Sequence, residues 1–192
     1  MLRIQSYDKQ QHYTSLKNAF KEIFHNSEFD NINKDWISDM SYVCIDRRNT
    51  VQGFILVNES TYLNIQYSIQ YLGIMPRYRK LGYAKRLVEL VISNKKLDSV
   101  YLSVLSNNVE ANEVCKKIGF EVIEKIASNS DECTLIYCLS TTHKCYRCGK
   151  HVKKHDIIME DTPVSIEMTN YGIHQVFKKE PVCYQCQTKI ES

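Results

Sequence analysis

The sequence predicts a mixed α/β fold followed by a small module built around paired cysteines. Strand-like and helix-like segments alternate over roughly the first 140 residues, which is typical of a sheet flanked by helices. The longest strand-like run leads into an amphipathic helix, as a crossover between parallel strands requires. Two Cys-x-x-Cys pairs occupy the last 50 residues. We therefore expect domains at residues 1–140 and 143–192.

The composition is that of an ordinary globular protein, with 43% hydrophobic and 24% charged residues. A net charge of +3 is too small to indicate nucleic-acid binding, because proteins that track phosphates concentrate basic residues more heavily. No signal-peptide-like stretch opens the chain, and no run of about 18 apolar residues occurs, so no membrane segment is expected. We expect an intracellular protein of a reducing compartment, cytoplasmic or nuclear, whose eight cysteines are thiols or metal ligands.

Hydrophobic periodicity defines the elements of the first half of the chain. A helix is predicted at Lys9–Phe24, because apolar residues between Leu16 and Ile23 recur at helical spacing. The β-branched and aromatic run Tyr62–Met75, closed by Pro76, predicts a strand or a pair of strands. The other predicted elements are a strand at Leu2–Tyr7, a shorter helix at Asp30–Met40, and paired strands at Tyr42–Ile45 and Gly53–Val57 around an Asn49–Thr50 turn.

The sequence of the second half of the domain predicts two helices, each followed by at least one strand-like segment. The first helix is predicted at Gly82–Asn94, and the second at Asn108–Ile118, where Gly119 ends it in the left-handed position that glycine favours. Strands are expected at Val100–Leu105, Glu121–Ile126 and Cys133–Leu139. The predicted buried faces consist of Ala84, Leu87, Val88 and Val91 in the first helix and Ala111, Val114, Cys115 and Ile118 in the second.

A basic turn, Arg79–Ala84, joins the long strand to the first of these helices. The first N–H groups of a helix have no partner within it and lie at its positive end, so they bind anions. Gly82 leaves room for a phosphate to approach the main chain. Neither GxGxxG nor GxxxxGK[ST] occurs, which leaves a dinucleotide fold and a P-loop unsupported. The turn therefore predicts a pyrophosphate site.

These residues resemble the GNAT superfamily of N-acetyltransferases. The family's loop pattern, [Gln/Arg]-x-x-Gly-x-[Gly/Ala], is met by Arg79–Ala84, and the aliphatic-x-Pro before it by Ile74–Pro76. A second family pattern follows as Asn108–Ala111, then Cys115 at an aromatic position, then Gly119–Phe120. The resemblance covers residues 1–140. It implies a GNAT-like central mixed sheet flanked by helices, and acetyl-CoA as the cosubstrate.

The resemblance also implies a mechanism. The central strand would splay from its neighbour, the pantetheine arm would pair with the main chain of Leu72–Ile74, and the N–H of Ile74 would stabilise the developing oxyanion. An amine would then attack the thioester directly in a ternary complex. The residues implied in acetyl-CoA binding are Leu72, Gly73, Ile74, Arg79, Lys80, Leu81, Gly82, Tyr83, Ala84 and Asn108.

Both catalytic side chains customary in the family are replaced here. Many relatives carry a glutamate base at the position of Ser68, and a base is needed because an amine with a pKa of about 10.4 is protonated near neutrality. Glu59, Glu28 or an ordered water remain alternatives. Cys115 stands where the family has the tyrosine that protonates the leaving thiolate. It is either a thiol acid or a small buried residue, and we favour the second interpretation.

The tail contains four cysteines in two pairs, Cys145 with Cys148 and Cys183 with Cys186. Four thiolates predict one tetrahedral, structural zinc ion per chain, in a zinc-ribbon or treble-clef-like arrangement. Runs at Val164–Met168 and Ile173–Phe177 predict a hairpin between the pairs. Three histidines, predicted to be surface residues rather than ligands, are His151, His155 and His174.

Two functions follow from these expectations. The first is an N-acetyltransferase that moves acetyl from acetyl-CoA to a primary amine, either a protein or peptide amine or a small amine such as a polyamine. The alternative is a catalytically weak acetyl-CoA-binding adaptor that docks protein or nucleic acid through its zinc module. Acidic residues are mixed with the lysines of the tail, so nothing in the sequence specifically favours nucleic acid.

Overall fold

The structure is a computed structural model that describes residues 1–25, 29, 36–37, 39–63, 65–94, 96–127, 132–144, 151–153, 157–169 and 172–183. It forms two compact units, Met1–Leu139 and Ser140–Ser192. None of the helices in the described ranges combines the length and apolarity that crossing a bilayer requires.

The first unit contains a seven-stranded mixed sheet in the order β1-β2-β3-β4-β5-β7-β6. Neighbours from β1 to β4 are antiparallel, as are β6 and β7, whereas β4 and β5 are parallel. The mixed sheet predicted from the sequence is thus confirmed. The strands are β1 at Arg3–Ser6, β2 at Tyr42–Ile45, β3 at Val51–Tyr62, β4 at Ile65–Ile74, β5 at Ser99–Leu105, β6 at Glu121–Ala127 and β7 at Cys133–Ser140.

Three helices accompany this sheet in the described residues: α1 at Lys9–Phe24, α2 at Tyr83–Asn94 and α3 at Val109–Ile118. Asp8 caps α1 by accepting from the N–H of Gln11 at 2.8 Å, and Asn108 caps α3 by accepting from the N–H of Ala111 at 3.1 Å. Gly119 ends α3 with a φ of 108°. Most of the helix predicted at Asp30–Met40 lies outside the described residues.

Two hydrophobic clusters lie on opposite faces of the sheet. On one face, which we call the α1 face, Leu16 and Phe20 of α1 pack with Phe54 of β3. On the other, the α2/α3 face, Leu87 of α2 and Cys115 of α3 belong to the second cluster. Each large apolar side chain buried in this way contributes about 1.5–3 kcal/mol. The sheet is therefore sandwiched between helices, as the fold class requires.

The buried face of α3 differs from the prediction. Val114 is 39% exposed, whereas Asn112 is 8% exposed. The Nδ2 of Asn112 donates to the carbonyl of Leu105 at 3.0 Å, and its Oδ1 accepts from the hydroxyl of Tyr137 at 3.0 Å. A buried amide is tolerated when its donors and acceptor are satisfied. Periodicity misassigned this position because it treats asparagine as a surface residue.

In its described residues, the second unit contains two antiparallel strand pairs. β8 at Thr142–Lys144 pairs with β9 at His151–Lys153, and β10 at Ile157–Thr169 pairs with β11 at Gly172–Cys183. The predicted hairpin is present, with longer strands. Cys145, Cys148, Cys186 and His155 lie outside the described residues, and Cys183 is described by its backbone only. Within the described part of the chain, no group of three or more potential ligand side chains is placed to hold a metal.

Candidate active site

The two central parallel strands separate along the sheet. Ser68 of β4 lies opposite Tyr101 of β5, and this is their one paired position among the described residues. From Ile69 to Ile74, β4 retains β3 as its partner on the other side. One edge of β4 is therefore open to a gap in the sheet, as the family resemblance implies for a splayed central strand.

The backbone orientation of β4 shows which groups face this gap. The N–H of Met75 donates to the carbonyl of Gln52, near the start of β3, at 2.9 Å. Successive amides of a strand point to opposite sides. The N–H groups of Leu72 and Ile74 therefore point away from β3 and into the gap. The Ile74 carbonyl on that side accepts from Nε of Arg79 at 3.1 Å.

Several backbone N–H groups in the turn after β4 donate to no acceptor among the described residues. A short 3-10 turn, Pro76–Tyr78, leads to Lys80 and Gly82, which have positive φ values of 61° and 80°. No backbone N–H from Lys80 to Ala84 donates to another described residue. A Cβ added at Gly82 would meet no atom within 4 Å, so the space before α2 is open. Amides at the positive end of a helix, facing open space, form an anion site.

Buried polar contacts hold this turn in place. The side chain of Gln52 is 1% exposed; its Oε1 accepts from Arg77 at 2.6 Å and its Nε2 donates to Asp46 at 2.9 Å. The buried hydroxyl of Tyr83 accepts from the N–H of Leu2 at 3.0 Å. Gln52 at the start of β3 and Leu2 just before β1 therefore fix the two ends of the turn.

Positive charge surrounds the turn. A surface cavity of about 410 Å³ is lined in part by Arg47, Arg48 and Arg77. Asp46 also lines this cavity, and the pKa of its carboxyl group is held below its usual value. The largest cause is the hydrogen bond that the backbone N–H of Thr50 donates to it. The three arginines outnumber this one carboxylate, so the cavity carries net positive charge, which attracts polyanionic ligands. Arg79 also pairs with Glu110 at 3.1 Å, an exposed contact of little energetic weight.

Cys115 lies in the hydrophobic cluster of the α2/α3 face and is 5% exposed. Burial raises the pKa of its thiol to about 11. Because desolvation penalises the thiolate, the thiol stays neutral as the pH rises, until the pH approaches this value. These surroundings favour the interpretation of Cys115 as a small core residue.

Replacing Cys115 with alanine is expected to leave kcat within about fivefold of wild type and to cost about 1 kcal/mol of stability, because only a buried sulfur is lost. The dependence of the rate on pH between pH 7 and 9 should be the same as in the wild type. Steady-state kinetics across this range test the prediction. A thousandfold loss of kcat at unchanged acetyl-CoA affinity would instead identify Cys115 as the acid.

A row of polar residues crosses the sheet where the gap begins. Asn58 of β3 lies opposite Ser68, which lies opposite Tyr101, and paired residues share a face. Their neighbours Val57, Ile69 and Leu102 belong to the α2/α3 cluster, so the row faces the α1 side. The row is extended by Ser60, whose Oγ is 2.8 Å from the hydroxyl of Tyr101.

The carboxylates near this row differ from those that the sequence offered. Glu59 is exposed and accepts from Nε2 of Gln66 at 3.0 Å, and Glu28 lies outside the described residues. Glu124 of β6 accepts from the hydroxyl of Tyr62, whose ring lies 5.5 Å from that of Tyr101. Local sequence gave no signal for Glu124, because its proximity depends on the long-range order of the strands.

Comparison with known proteins agrees with this architecture. The sequence model of the acetyltransferase (GNAT) family matches residues 9–120, which is more than half of the chain. A search of curated proteins found no match. A GNAT-family acetyltransferase from Bacillus cereus ATCC 10987 is similar in structure, with a TM-score of 0.61, 15% identity, and coverage of 73% of this chain and 97% of that one.

Two Arabidopsis thaliana structures are similar to the same extent. NAA60 in complex with acetyl-CoA has a TM-score of 0.57 and 21% identity over 73% of this chain and 99% of its own. Naa50 in complex with the bisubstrate analogue CoA-Ac-MVNAL has a TM-score of 0.56 and 21% identity over 72% of this chain and 98% of its own. At these identities the likeness shows a shared fold. With the family match, the splayed strands and the open anion turn, the chain belongs to the acetyltransferase (GNAT) family and is an acetyl-CoA-dependent N-acetyltransferase.

Proposed function

We propose that this chain transfers the acetyl group of acetyl-CoA to a primary amine of a peptide, protein or small molecule. The observation that carries the proposal is the coincidence of two features at one end of β4. The strand edge at Leu72–Ile74 is open, and the amides of Lys80–Ala84 have no acceptor among the described residues. A pantetheine arm fits the first feature and a diphosphate fits the second.

In the proposed complex, amides of the turn hold the diphosphate, while Leu72, Gly73 and Ile74 run beside the pantetheine arm. The N–H of Ile74 faces the gap and stabilises the oxyanion that forms at the thioester carbonyl. The amine nitrogen forms a bond to the acetyl carbon, the carbon–sulfur bond breaks, and the sulfur leaves as thiolate. The nitrogen releases a proton to water, and the thiolate takes one up to give CoA.

The acceptor is proposed to enter from the α1 face, beside the polar row. Asn58, Ser68 and Tyr101 provide hydrogen-bonding groups there, and none of these three side chains carries a positive charge that would repel an ammonium ion. The bisubstrate analogue bound to Naa50 couples CoA to a peptide, which makes a peptide amine a natural first substrate to test. We place the reaction in a reducing intracellular compartment, because the eight cysteines are expected to be free thiols or metal ligands rather than disulfides.

We also propose that Cys145, Cys148, Cys183 and Cys186 bind one structural zinc ion in the second unit. The first pair falls between β8 and β9, whose ends Lys144 and His151 lie opposite each other. β11 contacts β8 and ends at Cys183. This topology supports the convergence of the two cysteine pairs, and four thiolates are a ligand set that tetrahedral zinc prefers. The ion would stabilise the module rather than enter the reaction.

An acceptor screen tests the enzymatic proposal. The full-length protein is incubated with acetyl-CoA and with peptides bearing free N-termini, lysine peptides or polyamines, and CoA release is measured with a thiol reagent. We expect release to depend on one acceptor class. The substitution of the usual glutamate by Ser68 favours one rival, a catalytically weak adaptor. Micromolar acetyl-CoA binding without release on any acceptor would support that rival.

A further inference from the structure

The turn between β2 and β3 presents two adjacent arginines from a fixed backbone. Oδ1 of Asp46 accepts from the N–H groups of Arg48 at 2.8 Å and Thr50 at 3.0 Å. The main chain closes the same turn, because the N–H of Asp46 donates to the carbonyl of Thr50 at 3.0 Å. An aspartate that bonds the backbone of its own turn restricts that turn to one conformation. The backbone therefore sets where Arg47 and Arg48 leave the turn.

Neither of these arginines has a protein partner for its guanidinium group. Both are exposed, and neither forms an ion pair or a side-chain hydrogen bond with any residue that the structure describes. Arg79, by contrast, is paired with Glu110 at 3.1 Å. A guanidinium group has five N–H donors. Arg47 and Arg48 therefore keep all of these donors for a ligand.

A third arginine meets them at the surface cavity of about 410 Å³. Arg77, in the short turn after β4, lines this cavity together with Arg47 and Arg48. Its guanidinium group donates to Oε1 of Gln52 at 2.6 Å and lies 5.3 Å from the centre of the Tyr78 ring, so it is held in place and keeps further donors. The three arginines meet because the start of β3 pairs with the ends of β2 and β4.

The charge and size of this cavity favour a phosphate monoester as its ligand. The lining side chains include three arginines and one aspartate, which leaves two net positive charges. A phosphate monoester matches them, with a charge of about −1.5 to −2 near neutral pH and three acceptor oxygens that suit guanidinium groups. The cavity has room for the phosphate and part of the molecule that carries it. A nucleic-acid strand would require a longer basic stripe.

We propose that Arg47, Arg48 and Arg77 form a binding site for a phosphate monoester. Two sources carry this group. CoA has a phosphate monoester on the ribose beside its diphosphate, and Arg77 belongs to the short turn that leads into Lys80–Ala84. A separate phosphorylated molecule, bound beside acetyl-CoA, is the second source. The first source rests on the proposed diphosphate turn, whereas the site itself does not.

A titration of the free protein with inorganic phosphate tests the site. Amide signals of 15N-labelled protein are followed by NMR, with chloride used to keep the ionic strength constant. We expect saturable shifts at Arg47–Thr50 in the wild type. In the double variant Arg47→Gln, Arg48→Gln, the Kd for phosphate at these signals should rise about 10-fold or more, because charge-assisted hydrogen bonds are lost. The melting temperature should not change, because neither side chain has a partner among the described residues.

The matched control is the double variant Lys116→Gln, Lys117→Gln. It also removes two exposed positive charges, but these belong to α3 and do not line the cavity. Its phosphate titration should equal that of the wild type. The control thereby separates a local site from the effect of net charge.

Binding of acetyl-CoA and of 3′-dephospho-acetyl-CoA, measured by calorimetry, distinguishes the two sources. If the 3′-phosphate of CoA occupies the cavity, the wild type binds acetyl-CoA about 10-fold or more tightly than the dephospho form. The arginine double variant then binds both forms equally. If a separate ligand occupies it, the wild type binds both forms equally, and inorganic phosphate still shifts the Arg47–Thr50 signals when acetyl-CoA is saturating.

The outcomes separate this site from the proposed function. Phosphate that shifts the Arg47–Thr50 signals equally in the wild type and the arginine double variant, or in neither, would overturn the site and leave acetyl transfer intact. An equal loss of phosphate binding in the lysine control would reduce the effect to net charge and would also overturn it. If the wild type binds no acetyl-CoA, the proposed function fails, and the phosphate titration of the free protein still decides the cavity.

Discussion

Replacing Gly82 with valine is expected to weaken acetyl-CoA binding by at least about 100-fold, equivalent to about 2.7 kcal/mol. The φ of 80° at this position disfavours any side chain, and a β-branched one most. The protein leaves room for the new side chain, since no atom lies within 4 Å of the added Cβ. The side chain would therefore occupy the space where the diphosphate meets the turn. Calorimetric titration with acetyl-CoA measures the loss.

Gly119 provides a matched control for backbone strain. It also has a positive φ, 108°, and a Cβ there would only touch Leu139 at 3.8 Å. Gly119→Ala and Gly82→Ala should lower the melting temperature by similar amounts, because both force a residue with a Cβ into the left-handed region. Only Gly82→Ala should reduce acetyl-CoA affinity. Equal affinities for the two variants would show that the turn does not bind the diphosphate.

Replacing Cys145 with serine is expected to abolish zinc binding and to unfold the second unit. A module of this size is expected to bury too little apolar surface to be stable alone, so under the zinc proposal the free energy of metal binding, about 10–16 kcal/mol in small zinc peptides, would sustain its fold. Elemental analysis should find about one zinc per wild-type chain and essentially none in the variant. Hydrogen exchange should show that β10 and β11 lose protection.

Cys133→Ser is the corresponding control, because Cys133 is a free, partly exposed thiol of β7 in the first unit. Its zinc content should equal that of the wild type. The first unit of Cys145→Ser should keep its melting temperature and its affinity for acetyl-CoA. Freshly reduced wild-type protein without zinc would refute the metal proposal and leave the acetyltransferase domain unaffected.

The parts of the fold that the sequence predicted best are those coded by local signals. The bounds of α1 were anticipated from apolar spacing, and the end of α3 from Gly119, whereas Asn108, predicted as the first residue of that helix, is its N-cap. The length of β3 was underestimated, since the strand was expected to end at Val57 and continues to Tyr62. The extension of β3 carries the polar residues Asn58 and Ser60 of the row, and β-propensity favours strands rich in β-branched and aromatic residues.

The candidate site was only half visible in the sequence. The turn around Gly82 is contiguous, so its composition was enough to predict an anion site there. The acceptor side joins Asn58, Ser68, Tyr101 and Glu124 from four strands, and their proximity depends on strand order and register. Sequence comparison with the family pointed to Ser68 and Cys115 as replaced catalytic positions. It did not point to the arginine-lined cavity, whose members come together only in the folded sheet.

The replacement of the usual carboxylate at Ser68 limits the chemistry of the row. The asparagine, the two serines and the tyrosine of the row can orient an amine and hold water, but the row contains no carboxylate or imidazole to act as a base near neutral pH. Turnover should therefore increase with pH as the acceptor loses its proton. This dependence follows the pKa of the acceptor amine, and an acceptor with a lower pKa should be acetylated faster at pH 7.

Hydrogen exchange of the Arg79–Ala84 turn, measured with and without CoA, tests the central claim most directly. The amides from Lys80 to Ala84 have no acceptor among the described residues and should exchange rapidly in the free protein. Saturating CoA should slow their exchange strongly, with little change at the comparable turn around Gly119. Binding of CoA that leaves these amides unprotected would contradict the assignment of this turn as the diphosphate site.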